Sequence, residues 1–114
     1  MTSEAAGILR LTSGEGTIRE GGVADFVVVE HKDQSPAEAL VRLRPDLVIL
    51  NGRVKLFSAR MADRLRFCGT GGFEAIHLEG RGRLYVAYRV AAFADRVKRH
   101  LGENFRLAGK KVMA

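Results

Sequence analysis

Apolar and polar positions alternate along this chain in a way that separates strands from helices before any composition is considered. Val23 to Val29 is a nearly continuous apolar run interrupted at Asp25, the pattern of a strand covered on both faces. Ser35, Pro36 and Glu38 follow as an N-cap, the favoured proline at the first helical position and the third-position acid of a capping box, so a short helix is predicted near 36–43. Pro45 forces Arg44 out of the helical region and ends it. Leu47 to Leu50 is a second β-rich run. Asn51-Gly52 supplies the two positive-φ positions of a type I′ turn, and Val54, Leu56 and Phe57 return as the partner strand.

The flanks are less regular. Ala5, Ile8 and Leu9 share a helical face, with Thr2 or Ser3 as cap. Ser13-Gly14-Glu15-Gly16 reads as a turn; two glycines without a following helix do not make a phosphate loop. Glu20-Gly21-Gly22 is a second turn feeding the Val23 run. After the hairpin, Ser58 to Leu65 is predicted to form a helical turn or two. Arg66 to Gly72, with three glycines in its last four residues, is a loop between two halves. Phe73 to Glu79 and Leu84 to Tyr88 are strand partners across Gly80-Arg81-Gly82. Val90, Phe93, Ala94, Val97 and Leu101 then fall at helical spacing, so a helix is predicted near 90–101. Gly102 lies just past its end, and Lys98, Arg99 and His100 suit its negative pole. Phe105 to Val112 closes as a short extended piece broken by Gly109. The fold class expected is α+β, mostly β: a small sheet or sandwich in one domain over 1–114, divided at about residue 65.

Gly21, Ala24, Asp25 and the run Phe26 to Val29, followed by Ser35-Pro36-x-Glu38 and Leu47-Val48-Ile49-Leu50-Asn51-Gly52-Arg53-Val54, resemble the C-terminal end of the amidohydrolase superfamily of metal-dependent hydrolases and deaminases. The resemblance covers roughly residues 4–57 and is nearest the deaminase (aminohydrolase) branch. It implies a composite β domain built beside a TIM barrel, and a parent reaction hydrolysing carbon–nitrogen bonds with a divalent metal such as zinc or iron. A barrel needs about 200 residues or more, so 114 residues cannot contain one. The resemblance makes Asp25, Ser35, Asn51 and Gly52 structural signature residues, with the Asp25 carboxylate expected to cap backbone N–H groups of the preceding Gly-rich turn.

Chemistry is sparse by comparison. The family's His-x-His pair and later ligands lie in segments this chain does not contain. His31, His77 and His100 are separated by 46 and 23 residues in no metal-binding pattern, and His31 with Asp33 lacks a third ligand. His77 is the histidine expected to be buried. Cys68 has no histidine close in sequence and reads as a small buried hydrophobe. No catalytic or metal-ligating residue is therefore assigned, and no cofactor is expected in the chain itself.

Charge changes the picture in one respect. The net +6 is uneven: residues 1–63 hold 8 Lys/Arg against 9 Asp/Glu, and residues 64–114 hold 11 against 4. The basic half offers Arg81, Arg83, Arg96, Lys98, Arg99, Lys110 and Lys111 as an alternative anion- or nucleic-acid-binding set. Without an RNP-like aromatic pattern, helix-turn-helix signature or zinc-finger spacing, a solvated surface is the favoured reading and nucleic acid is not the expected partner. One cysteine fits a reducing compartment, and no apolar run approaches the ~20 residues of a membrane span. The function expected is thus a cytoplasmic structural or interaction domain, not catalytic alone. Its expected partner is a second copy or a separate barrel polypeptide, with the Val23–Val29 run as the exposed edge.

Overall fold

The computed structural model describes residues 3–33, 35–42, 44–65, 71–104, 106, 109 and 112–113. Its centre is a single antiparallel sheet of strands β1 (Phe26–Val29), β2 (Pro45–Leu50), β3 (Arg53–Ser58), β4 (Glu74–Leu78), β5 (Gly82–Val86) and β6 (Val112–Met113). The spatial order is β1-β2-β3-β5-β4-β6, so the second hairpin joins the first through β5. Four helices accompany it: α1 (Ser3–Ile8), α2 (Pro36–Arg42), α3 (Ala59–Ala62) and α4 (Val90–Leu101). The fold is α+β with one small sheet, and the four helical segments read from the sequence are present as α1 to α4. No helix among the described residues is long and apolar enough to cross a membrane.

Local sequence explains each junction. The Ser35 backbone N–H donates to Glu38 Oε2 (2.8 Å), and Glu38 N–H donates back to Ser35 Oγ (3.3 Å), a complete capping box. At the β2–β3 turn Asn51 and Gly52 have φ of 49° and 70°, as a type I′ turn demands. A bulge between Val48 and Ile49 leaves Lys55 without an opposite residue. The Lys55 carbonyl instead accepts from Ala87 N–H (2.9 Å), helping to attach the end of β5. Helix α4 begins where Glu74 accepts a hydrogen bond from Ala91 N–H (3.0 Å), a favourable charge at the positive pole. It ends with Gly102 N–H on the Lys98 carbonyl (2.8 Å).

Buried side chains lie on both faces of the sheet, and the aromatic cluster lies on one. Phe57, only 1% exposed, packs with Leu47 and Leu65, and Met61, Ala62, Phe73 and Tyr85 surround them. Tyr85 stacks on Phe57 with ring centres 4.9 Å apart, and Phe73 meets it edge-on at 5.0 Å. Register places Leu56, Ser58, Leu84 and Val86 on the opposite face with Glu74, the residue that reaches α4.

Three expectations change. The first strand covers only Phe26–Val29, because the Ala24 carbonyl and Asp25 carboxylate are committed to the Asn51-Gly52 turn. It is an edge strand pairing with β2, as expected of this run, but successive residues Val27 and Val28, which face opposite sides, are both exposed rather than covered. In α1 the buried residue is Ala6, while Ile8 and Leu9 are exposed. That helix closes with Leu11 N–H on the Ala6 carbonyl (3.0 Å) and Arg10 at positive φ, the place glycine usually takes. Finally, His77 is exposed: Ala75 and His77 lie uncovered on the face that carries Tyr85, while Ile76 and Leu78 are half-buried on the face of Leu84.

Candidate functional site

Two places gather polar side chains from distant parts of the chain. The first is the corner where the resembling residues meet. Gly52 N–H donates to the Ala24 carbonyl (3.0 Å), and Asn51 N–H donates to Asp25 Oδ1 (2.6 Å). Asp25 therefore caps the following hairpin turn, 26 residues on, and not the preceding Gly-rich turn as its sequence position suggested. The preceding turn closes itself, Gly22 N–H bonding the Arg19 carbonyl (3.1 Å) with Gly21 at φ 75°. Asp25, Asn51 and Gly52 thus do one structural job together, while Ser35 caps α2 separately.

The second place is the end of the sheet where the C-terminal ends of β1 and β3 meet the N-terminal ends of β2 and β5. Glu30 follows β1, Asp46 lies at the start of β2 and Ser58 ends β3. Arg60, on α3, bridges the Glu30 and Asp46 carboxylates. Lys32 joins Glu30 at 3.0 Å, and Ser58 Oγ donates to Asp46 Oδ1 at 2.8 Å. The Lys32 ammonium, with Arg60 behind it, holds the Glu30 carboxyl below the usual range, and Asp46 followed by Glu30 pushes the Arg60 guanidinium up.

Three open clefts border this network: a larger one of about 460 Å³ runs along Lys32, Asp46 and Arg60, and the other two, about 140 Å³ each, share Glu30 and Arg44. Of these two, one is completed by Lys32, Ala39 and Arg42, the other by Asp46, Ser58, Gly80, Arg81 and Leu84. Arg81, in the β4–β5 turn, donates to the Arg42 carbonyl at the end of α2 (3.4 Å). Burial pushes the Arg81 guanidinium down, and the positive charge of Arg44 adds to that push.

The seven basic residues proposed from sequence are not gathered into this site. Arg81 belongs to it. Arg83 lies exposed on β5 opposite His77. Arg96, Lys98 and Arg99 lie on α4, where Lys98 pairs with Glu103 (3.5 Å) and Arg99 bonds the Asp95 carbonyl (3.4 Å). Lys110 and Lys111 lie outside the described residues, as do Thr2 and Cys68 and the loop residues Arg66 to Thr70. His31 is exposed beside β1, and His100 is exposed on α4. Among the described residues no three His, Cys, Asp or Glu side chains are placed to hold a metal ion.

Sequence reading missed Glu30, Asp46, Arg44 and Arg60. The one local signal was Pro45, which turns Arg44 out of α2 and toward the strand ends. No family model, curated protein or solved structure matches this chain.

Proposed function

We propose that this chain is a β-rich structural and interaction domain of an amidohydrolase-like, metal-dependent hydrolase, non-catalytic alone, whose parent reaction hydrolyses carbon–nitrogen bonds by amide hydrolysis or deamination. The surface of the resembling half is the observation that carries this reading. Eleven large hydrophobic side chains are exposed among the described residues, and eight of them, from Ile8 to Leu50, fall in the first 50. Single exposed apolar residues are ordinary, but their concentration on one half and on an edge strand suits a surface that meets a partner. That partner is a barrel polypeptide or a second copy of the chain.

The corner joining Ala24, Asp25, Asn51 and Gly52 supports the same reading, because the residues that carry the resemblance shape backbone and leave chemistry to another segment. The parent family's zinc or iron would belong to the barrel, where a bound metal lowers the pKa of water and prepares a nucleophile. A cytoplasmic location is part of the proposal, supported by the single cysteine.

The test is to purify the natural gene product, weigh it and analyse its metal. The expected result is this 114-residue segment joined to, or in fixed stoichiometry with, a barrel-sized polypeptide that carries the metal and metal-dependent hydrolysis. A free 12.5 kDa product overturns the proposal if it hydrolyses such substrates with its own metal, or if it has neither activity nor a barrel partner.

A further inference from the structure

The strand-end clefts combine properties that a merely solvated surface does not require. Five cationic side chains, Lys32, Arg42, Arg44, Arg60 and Arg81, surround two carboxylates, Glu30 and Asp46. The excess of positive charge holds however the individual pairs are drawn. It is also a focused excess. Arg42 ends α2, Arg44 stands just before β2 and Arg81 lies in the β4–β5 turn, so three elements each bring an arginine to two adjoining concavities that share Arg44.

Three elements far apart in sequence hold these like charges together. The Arg81 contact with the Arg42 carbonyl ties the second hairpin to the end of α2. That contact explains why Arg81 is there, since a basic side chain suits the negative end of a helix. It does not explain Arg44, whose charge acts against Arg81 across the same cleft. An anion between them would turn this repulsion into attraction.

The geometry points to a binding site for the phosphate group of a small ligand, seated at Arg44 between Arg42 and Arg81. Size sets the class: about 140 Å³ per cleft lies below the ~300–1,000 Å³ of pockets that enclose drug-sized ligands. A phosphate suits the lining better than a carboxylate does. Its oxygens point outward tetrahedrally and can meet guanidinium forks from several sides, whereas a carboxylate offers two oxygens in one plane. Ser58, which donates to Asp46, lines the same wall.

The experiment titrates the folded 114-residue protein with inorganic phosphate and, separately, with methyl phosphate at constant ionic strength, following backbone amide resonances by NMR. Saturable shifts centred on Arg44, Asp46, Gly80 and Arg81 are expected. R44Q and R81Q should each weaken binding by about tenfold, the order of one charge-assisted contact. R96Q and R99Q, on α4, should leave it unchanged and so control for general electrostatics. Tighter methyl phosphate binding would identify a phosphate ester as the ligand, and equal or weaker binding free phosphate. Shifts that grow linearly without saturation, or fall equally in the α4 variants, overturn the site. So does binding by R44Q and R81Q, shown folded by their amide spectra, that matches the wild type.

Discussion

Replacing Gly52 by valine isolates the backbone geometry on which the central hairpin depends. A side chain has room at this position: a Cβ added to Gly52 would lie 3.9 Å from its nearest neighbour, the Ala24 methyl, an ordinary contact. The cost is conformational. Gly52 has φ of 70°, where a non-glycine residue loses roughly 1–2 kcal/mol. A β-branched residue is a genuine outlier there, which places G52V on the order of 1–3 kcal/mol. Relaxing the turn does not avoid the loss, because Gly52 N–H and Asn51 N–H anchor Ala24 and Asp25 at the head of β1. Ser35→Ala is the internal comparison. It removes a hydroxyl bonded to Glu38 N–H but leaves the Ser35 N–H to Glu38 bond intact, for about 1 kcal/mol. Urea unfolding followed by far-UV circular dichroism and by tyrosine fluorescence, with Tyr85 stacked in the core, measures both. The expected order is G52V well below S35A in midpoint, with similar slopes. If G52V lost less than S35A, the positive-φ turn would not be setting the hairpin register.

Two further outcomes follow from the charge arrangement and the sheet edge. The Ser35 backbone N–H and hydroxyl hold the Glu38 carboxyl below its ordinary value of 4.5, so the unfolded chain binds protons more readily there. Stability from this group is therefore present above 4.5 and lost as pH falls through the lower folded value. Glu38→Gln keeps the capping hydrogen bonds without titrating, so the wild-type advantage over E38Q at neutral pH should vanish in acid; a constant gap in urea midpoint would refute it. Strand β1 has one strand partner among the described residues and exposes Val27 and Val28. Light scattering should find a dimer of twice 12.5 kDa that Val27→Lys returns to monomer, and a concentration-independent wild-type monomer would sink that expectation.

The elements most legible in sequence were those whose signals are local. The capping box of α2, the Asn51-Gly52 turn and the apolar spacing of α4 each lie within a dozen residues, and their geometry is what those residues require alone. Legibility ended where one segment's state depends on another. Val23 to Val29 looks buried because it is apolar, yet its exposure is set by its edge place in the sheet, which no local pattern encodes. His77 was read as buried from its strand, but only the pairing of β4 with β5 fixes which face it takes. A hairpin can join a sheet by either strand, so the β3–β5 neighbourhood was equally hidden. The strand-end cluster was invisible for the same reason: Glu30, Asp46 and Arg60 are separated by 16 and 14 residues and become neighbours only through the β1–β2–β3 pairing. Asp25 stood out, and only its partner was misassigned, since a short side chain beside a Gly-rich turn gives no hint of a turn 26 residues away.

The seam between the two hairpins sets how this sheet comes apart. It consists of three facing pairs, Leu56 with Val86, Phe57 with Tyr85 and Ser58 with Leu84. The aromatic trio of Phe57, Phe73 and Tyr85 draws members from both sides of it. A two-stranded hairpin is marginal at best in water, so β4 and β5 borrow their persistence from that seam, with a two-residue β6 adding little on their far side. The β1–β2–β3 side has three strands and its own turn anchor. Opening of the seam would separate the basic half from the resembling half and uncover Phe57, the ring their shared core is built on. Because Arg81 travels with the former and Arg44 stays with the latter, the same opening pulls the strand-end clefts apart, and whatever bridges those two arginines acts as a clasp on the whole sheet.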